Sequence, residues 1–104
     1  MSTEIDVKTC IGATYKLLRL LEKLSKPDIV EKIFETDVSE VLYYEYLHLY
    51  DLVFNKCRLR ESLPHEVISH AEGLKEAFEA HKPGLAQYRA SRLLETLREI
   101  LLKA

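Results

Sequence analysis

The chain contains no tryptophan, one methionine, two cysteines, three glycines and three prolines among its 104 residues. So few glycines and prolines leave little of the turn-forming sequence that a fold of many short strands needs, which favours long helices. Two cysteines are too few for the disulfide framework of a small secreted domain. These shortages indicate a helical domain that is held together by a hydrophobic core.

Long apolar runs and an excess of one charge are also missing. No window approaches the roughly 18 uninterrupted apolar residues of a membrane-spanning helix, and the acidic, polar start does not resemble a secretory signal. The net charge of −2 gives no overall attraction to nucleic acid or anionic lipid. We therefore expect a cytoplasmic protein without membrane contact, formed by one domain over residues 1–104.

Apolar residues make up 47% of the chain, and they recur at the three- and four-residue steps of buried helix faces. Prolines and polar turns separate the periodic segments, and short turns between long helices reverse the chain direction. We predict an all-α protein, an up-and-down four-helix bundle with a short extra helix between the first and second long helices. The predicted long helices cover residues 3–25, 36–60, 62–81 and 85–103, and the short one covers residues 28–35.

The second long helix, residues 36–60, holds four of the six tyrosines. Asp37 and Glu40 have the spacing of a capping box at its start. One arc of about 140° collects enough apolar residues for a core face. This predicted core face consists of Leu42, Tyr43, Tyr46, Leu49, Tyr50, Val53, Phe54 and Cys57.

The same helix has further apolar residues outside that arc. Val41, Tyr44, Leu52 and Leu59 lie on the polar side, around His48, where a simple amphipathic helix has no partner for them. A stripe that spans five turns suggests a contact surface, although a central helix can also be covered on two sides by its own chain. We predict a binding or assembly protein that self-associates as a dimer, or binds another protein, through these five residues.

Cys10 and Cys57 both fall on predicted core faces. If the first two long helices are antiparallel neighbours, the two thiols lie at similar heights along the bundle, where they could touch or form a disulfide bond. We interpret them as two separate core thiols, which are inert when buried.

Two histidine motifs fail as metal sites. Glu45 and His48 have the Glu-x-x-His spacing of di-iron bundles, but no second pair accompanies them. His65 and His70 are five residues apart, which puts them about 140° apart around a helix rather than on the one face that a zinc-protease motif requires. We predict neither a metal nor a cofactor.

Arg60 and His65 have the Arg-x4-His spacing of HEPN domains, and on these two residues the segment resembles that family. HEPN proteins are small, helical and usually dimeric, and many are ribonucleases or toxin components. The resemblance implies that Arg60 binds the scissile phosphate and that His65 transfers a proton, without a metal. A HEPN-like ribonuclease or toxin-type protein is therefore the alternative function.

A row of basic residues follows the outer face of the first helix. Such a row is able to contact a phosphate backbone, so nucleic acid is a possible partner. The acidic chain and the scarcity of neighbouring aromatic residues favour a solvated face instead. The row consists of Lys8, Lys16, Arg19, Lys23 and Lys26.

Overall fold

The computed structural model describes residues 6–103, and this part of the chain contains five α-helices and no β-strand. The predicted all-α class is confirmed. A π-helix and a short 3-10 turn stand between the third and fourth α-helices. The elements are α1 (Val7–Leu24), α2 (Pro27–Phe34), α3 (Val38–Tyr50), the π-helix (Asp51–Lys56), the 3-10 turn (Leu59–Ser62), α4 (His65–Glu79) and α5 (Pro83–Lys103).

The helix starts follow capping chemistry, with one correction. Asp6 caps α1, because its Oδ1 accepts a hydrogen bond from the backbone N–H of Thr9 at 2.7 Å; the predicted N-terminal extension of this helix lies outside the described residues. The capping box predicted from Asp37 is wrong, since that residue is already helical and makes no side-chain capping bond within the described chain. Thr36 takes the role, and its Oγ1 accepts from the N–H of Val38 at 3.2 Å.

The end of α4 is a Schellman motif. The N–H of Lys82 donates to the carbonyl of Ala77 at 2.9 Å, and the N–H of His81 donates to the carbonyl of Phe78 at 3.1 Å. His81 adopts the left-handed conformation, with φ 56°, that glycine usually supplies at this position. Its Nε2 lies 2.7 Å from the carbonyl oxygen of Phe34, which ties the α4–α5 turn to the end of α2.

The long helix predicted over residues 36–60 changes its winding after Tyr50. From Asp51 the backbone is a π-helix, in which the N–H of Cys57 donates to the carbonyl of Leu52 at 2.8 Å, five residues back. Arg58 then adopts the left-handed conformation, with φ 62°. The prediction of an α-helix to Arg60 is therefore wrong over its last ten residues, and the π-helix redirects the side chains that follow it.

The hydrophobic core draws on every α-helix. α5 contacts α1, α2 and α4, and α3 contacts α1, α2 and α4. Tyr46 is fully buried on α3, and its hydroxyl donates to the carbonyl of Ala71 on α4 at 2.7 Å. The largest fully buried side chains are Tyr46, Phe54, Leu17, Leu21, Leu24, Leu74, Leu93, Leu97, Val30 and Val53.

Candidate binding groove

An apolar groove runs along the N-terminal half of α1. Its floor is one face of that helix, and its walls are the end of the π-helix region on one side and Leu101 of α5 on the other. The volume is about 540 Å³, within the range of natural ligand pockets. The lining residues are Val7, Cys10, Ile11, Thr14, Tyr15, Leu18, Val53, Cys57, Leu59 and Leu101.

Three apolar side chains of α1 stand open to solvent at this groove. Val7, Ile11 and Tyr15 are 73%, 64% and 62% exposed, and their spacing of four residues aligns them along one face. This spacing is also that of a buried helix face, but the buried face of α1 lies further round the helix and includes Leu17, Leu20 and Leu21.

A disulfide bond joins Cys10 on α1 to Cys57 in the wall of the groove, with the two Cα atoms 5.9 Å apart. Both residues are half-buried rather than enclosed in the core. The interpretation as two separate core thiols is therefore wrong. The bond fastens the end of the π-helix region to α1, so that the floor and one wall of the groove are covalently linked.

A cluster of polar side chains, Tyr50, Asn55, Arg60, Glu72 and Lys75, connects the same wall to α4. The Tyr50 hydroxyl donates to Oε1 of Glu72 at 2.6 Å and accepts from Nη2 of Arg60. Lys75 lies 2.8 Å from Glu72 and 4.2 Å from the centre of the Tyr50 ring. Nε of Arg60 donates to Oδ1 of Asn55 at 3.1 Å. The cluster connects α4 to the π-helix and to the 3-10 turn.

The charges of this cluster are fixed by their surroundings. Burial, followed by the Glu72 hydrogen bond, raises the pKa of Tyr50 to about 12, so the phenol is neutral. Burial also acts to raise the pKa of Glu72, but the hydrogen bonds from Lys75 and Tyr50 outweigh it and leave that pKa below its ordinary value. Glu72 is thus a carboxylate that neutralises the surrounding cations, which makes the cluster a structural brace.

The five residues predicted as an interface are distributed over three places on the surface. Val41 and Tyr44 lie open on α3, at 65% and 69% exposure. Leu59 is half-buried and lines the apolar groove. His48 is exposed, and with half-buried Leu52 it lines a second, smaller depression of about 350 Å³ between α1 and α3. The prediction that they form one contact surface stays a prediction.

The proposed catalytic pair is not brought together by any described contact. Arg60 bonds to Tyr50 and Asn55 and lies 3.5 Å from Glu72, while His65 begins α4 as an exposed side chain. A phosphate at Arg60 would compete with the Glu72 carboxylate for the guanidinium. The ribonuclease alternative stays a prediction.

Neither a metal centre nor a membrane span is found in the described part of the chain. Among residues 6–103, no three His, Cys, Asp or Glu side chains are grouped so that they could hold a metal ion. The described helices include none with the length and apolar character to cross a bilayer. The basic row on α1 is exposed, which leaves nucleic-acid binding as a prediction.

Sequence reasoning missed the exposed face of α1. The signal was present, because the apolar arc of this helix is wider than a single buried stripe. Distant segments of the chain determine which part of such an arc stays uncovered. In this protein those segments are the end of the π-helix region and the end of α5.

Comparison of the chain with known protein families, with curated proteins and with solved structures gave no match. The helices, the groove and the disulfide describe a small all-α protein with an open apolar groove bounded by a disulfide bond.

Proposed function

We propose that this is a small binding and assembly protein that forms a homodimer through the groove face of α1. The observation that carries the proposal is a set of exposed apolar side chains, Val7, Ile11, Tyr15 and Leu101, that line one open groove, with exposed Leu102 next to Leu101 in the chain. Leu102 is the most exposed of them, at 87%. Scattered exposed apolar residues are normal, whereas a connected patch of this kind marks a contact site.

The area of the patch supports a second copy as the occupant. At roughly 100 Å² for each large side chain, five of them present about 500 Å² on one chain. Two copies together reach about 1,000 Å², near the smallest total area that a specific interface buries. A second copy supplies this area at once, because in a two-fold dimer the same patch occurs on both sides.

The geometry of α1 suits such a symmetric contact. In an antiparallel pairing of α1 with α1 of the second copy, a two-fold axis near Ile11 sets Val7 of each chain opposite Tyr15 of the other. The exposed Leu101 and Leu102 of α5 then add to the edge of the contact. The cations Lys8 and Arg19 flank the patch, so we expect moderate salt to favour the dimer by screening their repulsion.

Sedimentation of two matched variants tests the proposal. Ile11 and Val41 are equally exposed, at 64% and 65%, but lie on different helices. We expect the wild-type protein to be a dimer at tens of micromolar, the Ile11→Lys variant to be a monomer with unchanged helix content, and the Val41→Lys variant to remain a dimer. A wild-type monomer, or a dimer that Ile11→Lys leaves intact, would contradict the proposal.

The exposed residues Val41 and Tyr44 on α3 are the second candidate surface, and they keep the interface predicted from sequence open to test. Dissociation by Val41→Lys together with retention of the dimer in Ile11→Lys would identify α3 as the contact. The two sets of results are opposite, so one experiment distinguishes the two surfaces.

We also propose that α1, α3 with its π-helix, α4 and α5 form the up-and-down four-helix bundle expected from the sequence, with α2 as the extra helix. The contacts support this arrangement, because α1 touches α3, α3 touches α4, α4 touches α5, and α5 touches α1. A cytoplasmic location belongs to the same proposal. Disulfide bonds are rare in that compartment and mostly transient or redox-sensing, so the proposal requires the Cys10–Cys57 bond to be reversible there. Fractionation of expressing cells checks the location.

A further inference from the structure

We infer that the Cys10–Cys57 disulfide is a reversible redox control of the groove: an external dithiol opens it, the wall formed by residues 51–60 loosens, and the groove loses its shape. The weakening of self-association that follows is the one step that rests on the proposed function. The loosening of the wall is a property of the fold and stands independently of any partner.

The disulfide is accessible to attack. Both cysteines are half-buried and line a groove that is open to solvent, so an external thiolate is able to approach a sulfur atom from the groove side. A structural disulfide enclosed in a core excludes such an approach, since thiol–disulfide exchange requires access to one of the sulfur atoms.

The wall behind the disulfide is wound in a way that needs an external constraint. Residues 51–56 form a π-helix, which is rare and occurs mostly at functional sites. Arg58, directly after Cys57, is left-handed although it has a side chain. Because a π turn contains more residues than an α turn, it rotates Cys57 away from the direction that continued α winding would give. The bond to α1 holds Cys57 in this altered direction.

The wall has further attachments that do not depend on the disulfide. Val53 and Phe54 are fully buried in the core. Leu59 is half-buried against it, and Arg60 reaches Tyr50, Asn55 and Glu72 through its guanidinium. These contacts keep the segment near the body of the protein when the disulfide opens. The core draws on all five α-helices, so we expect local loosening over residues 51–60 and not global unfolding.

The chemistry is a two-step exchange. A thiolate of the dithiol attacks the sulfur of Cys10 or Cys57, the S–S bond breaks, and the displaced thiolate takes up a proton. The second thiol of the reductant, as a thiolate, then displaces the remaining cysteine sulfur, which is protonated in turn. The products are two cysteine thiols and one oxidised dithiol, so the two electrons that reduce the protein come from the reductant.

Hydrogen exchange of the oxidised and reduced protein tests the central claim, with dithiothreitol as the reductant. We expect the protection of residues 51–60 against amide exchange to fall at least 10-fold more on reduction than that of α4 and α5, whose slowest amides follow the stability of the whole protein. The double variant Cys10→Ser/Cys57→Ser should match the reduced protein and should not respond to dithiothreitol. Unchanged exchange over residues 51–60, or equal acceleration throughout the chain, would overturn the inference.

Sedimentation of the same samples tests the coupling to self-association. We expect the dimer dissociation constant to rise at least 10-fold on reduction. If the oxidised protein is a monomer, the proposed function fails, while the exchange experiment still decides the redox control. If a dimer persists with an unchanged dissociation constant although residues 51–60 have loosened, control of assembly by the disulfide is refuted.

Discussion

Gly73 and Arg89 show how closely α4 and α5 approach each other. A Cβ atom added to Gly73 would lie 2.5 Å from Nε of Arg89 and 2.8 Å from its Cζ. The arginine is held in this position, because its Nη1 donates to Nδ1 of His70 at 3.0 Å, which places the imidazole proton on Nε2. Its Nε is buried without a hydrogen-bond partner in the described part of the chain. A methyl group at residue 73 would therefore displace the end of the Arg89 side chain.

We predict that Gly73→Ala displaces Arg89 and breaks its bond to His70, and that this loss offsets the roughly 0.5–1 kcal/mol that helix propensity contributes, so the variant is no more stable than the wild type. Gly12 on α1 is the matched control, since a Cβ there meets nothing within 4 Å. Gly12→Ala should stabilise the protein by about 0.5–1 kcal/mol through helix propensity alone. Urea unfolding measures both changes, and equal effects of the two substitutions would show that the Arg89 contact is unimportant.

His70 links the stability of the protein to pH. Burial, followed by the positive charges of Arg89 and Arg92, lowers the pKa of this histidine below its ordinary value of 6.5, against the opposing charge of Glu66. The folded state therefore resists a proton that the unfolded chain accepts. The stability that the neutral ring contributes is complete above pH 6.5 and is lost as the pH falls through the folded-state pKa.

We accordingly predict that acidification from pH 7.5 to pH 5.5 lowers the free energy of unfolding of the wild type. In His70→Gln the decrease should be smaller, because the amide cannot take up the proton. Unfolding curves in urea at the two pH values measure the difference. A decrease in His70→Gln as large as that of the wild type would contradict the link between His70 and pH.

At the scale of single elements, the sequence predicts the helices better than their winding. Tyr46 and Tyr50, predicted on the core face of α3, are buried. Tyr44, predicted outside that face, is exposed. Val53 and Phe54 are still buried as predicted. Beyond them the helical wheel fails, because it assumes a constant 100° for each residue and the π-helix does not obey that step. Local sequence gives no sign of the change, since the bond from Cys57 to α1 that accompanies it crosses 47 residues.

The groove could be predicted only in part for the same reason. The apolar spacing of Val7, Ile11 and Tyr15 is visible in the sequence, and it has the same form whether the face is buried or open. Their exposure is decided by the positions of Leu59 and Leu101, which belong to distant parts of the chain. A pattern within one helix indicates that a face needs a partner, and the tertiary structure determines whether the chain itself provides one.

On the scale of the whole molecule, the disulfide closes a loop that includes nearly half of the chain. Cys10 and Cys57 are separated by 47 positions, and closing a loop of this length restricts the unfolded chain by roughly 4 kcal/mol of free energy. For a domain of this size that is a large fraction of the total stability. The cross-link therefore acts on the unfolded state of all the residues between the two cysteines.

We predict that reduction lowers the free energy of unfolding by about 2–4 kcal/mol. Guanidinium unfolding with and without dithiothreitol measures the loss, and the double variant Cys10→Ser/Cys57→Ser should reproduce the reduced value in both conditions. A midpoint that does not move on reduction would contradict this contribution.

The groove also brings the two ends of the described chain together, because Val7 and Leu101 line it in common. Val7 opens α1 and Leu101 lies near the end of α5, so the first and the last described helices border the groove together. A cavity made from residues this far apart in sequence forms only when the two helices have docked, so its formation reports that the folding of the bundle is complete.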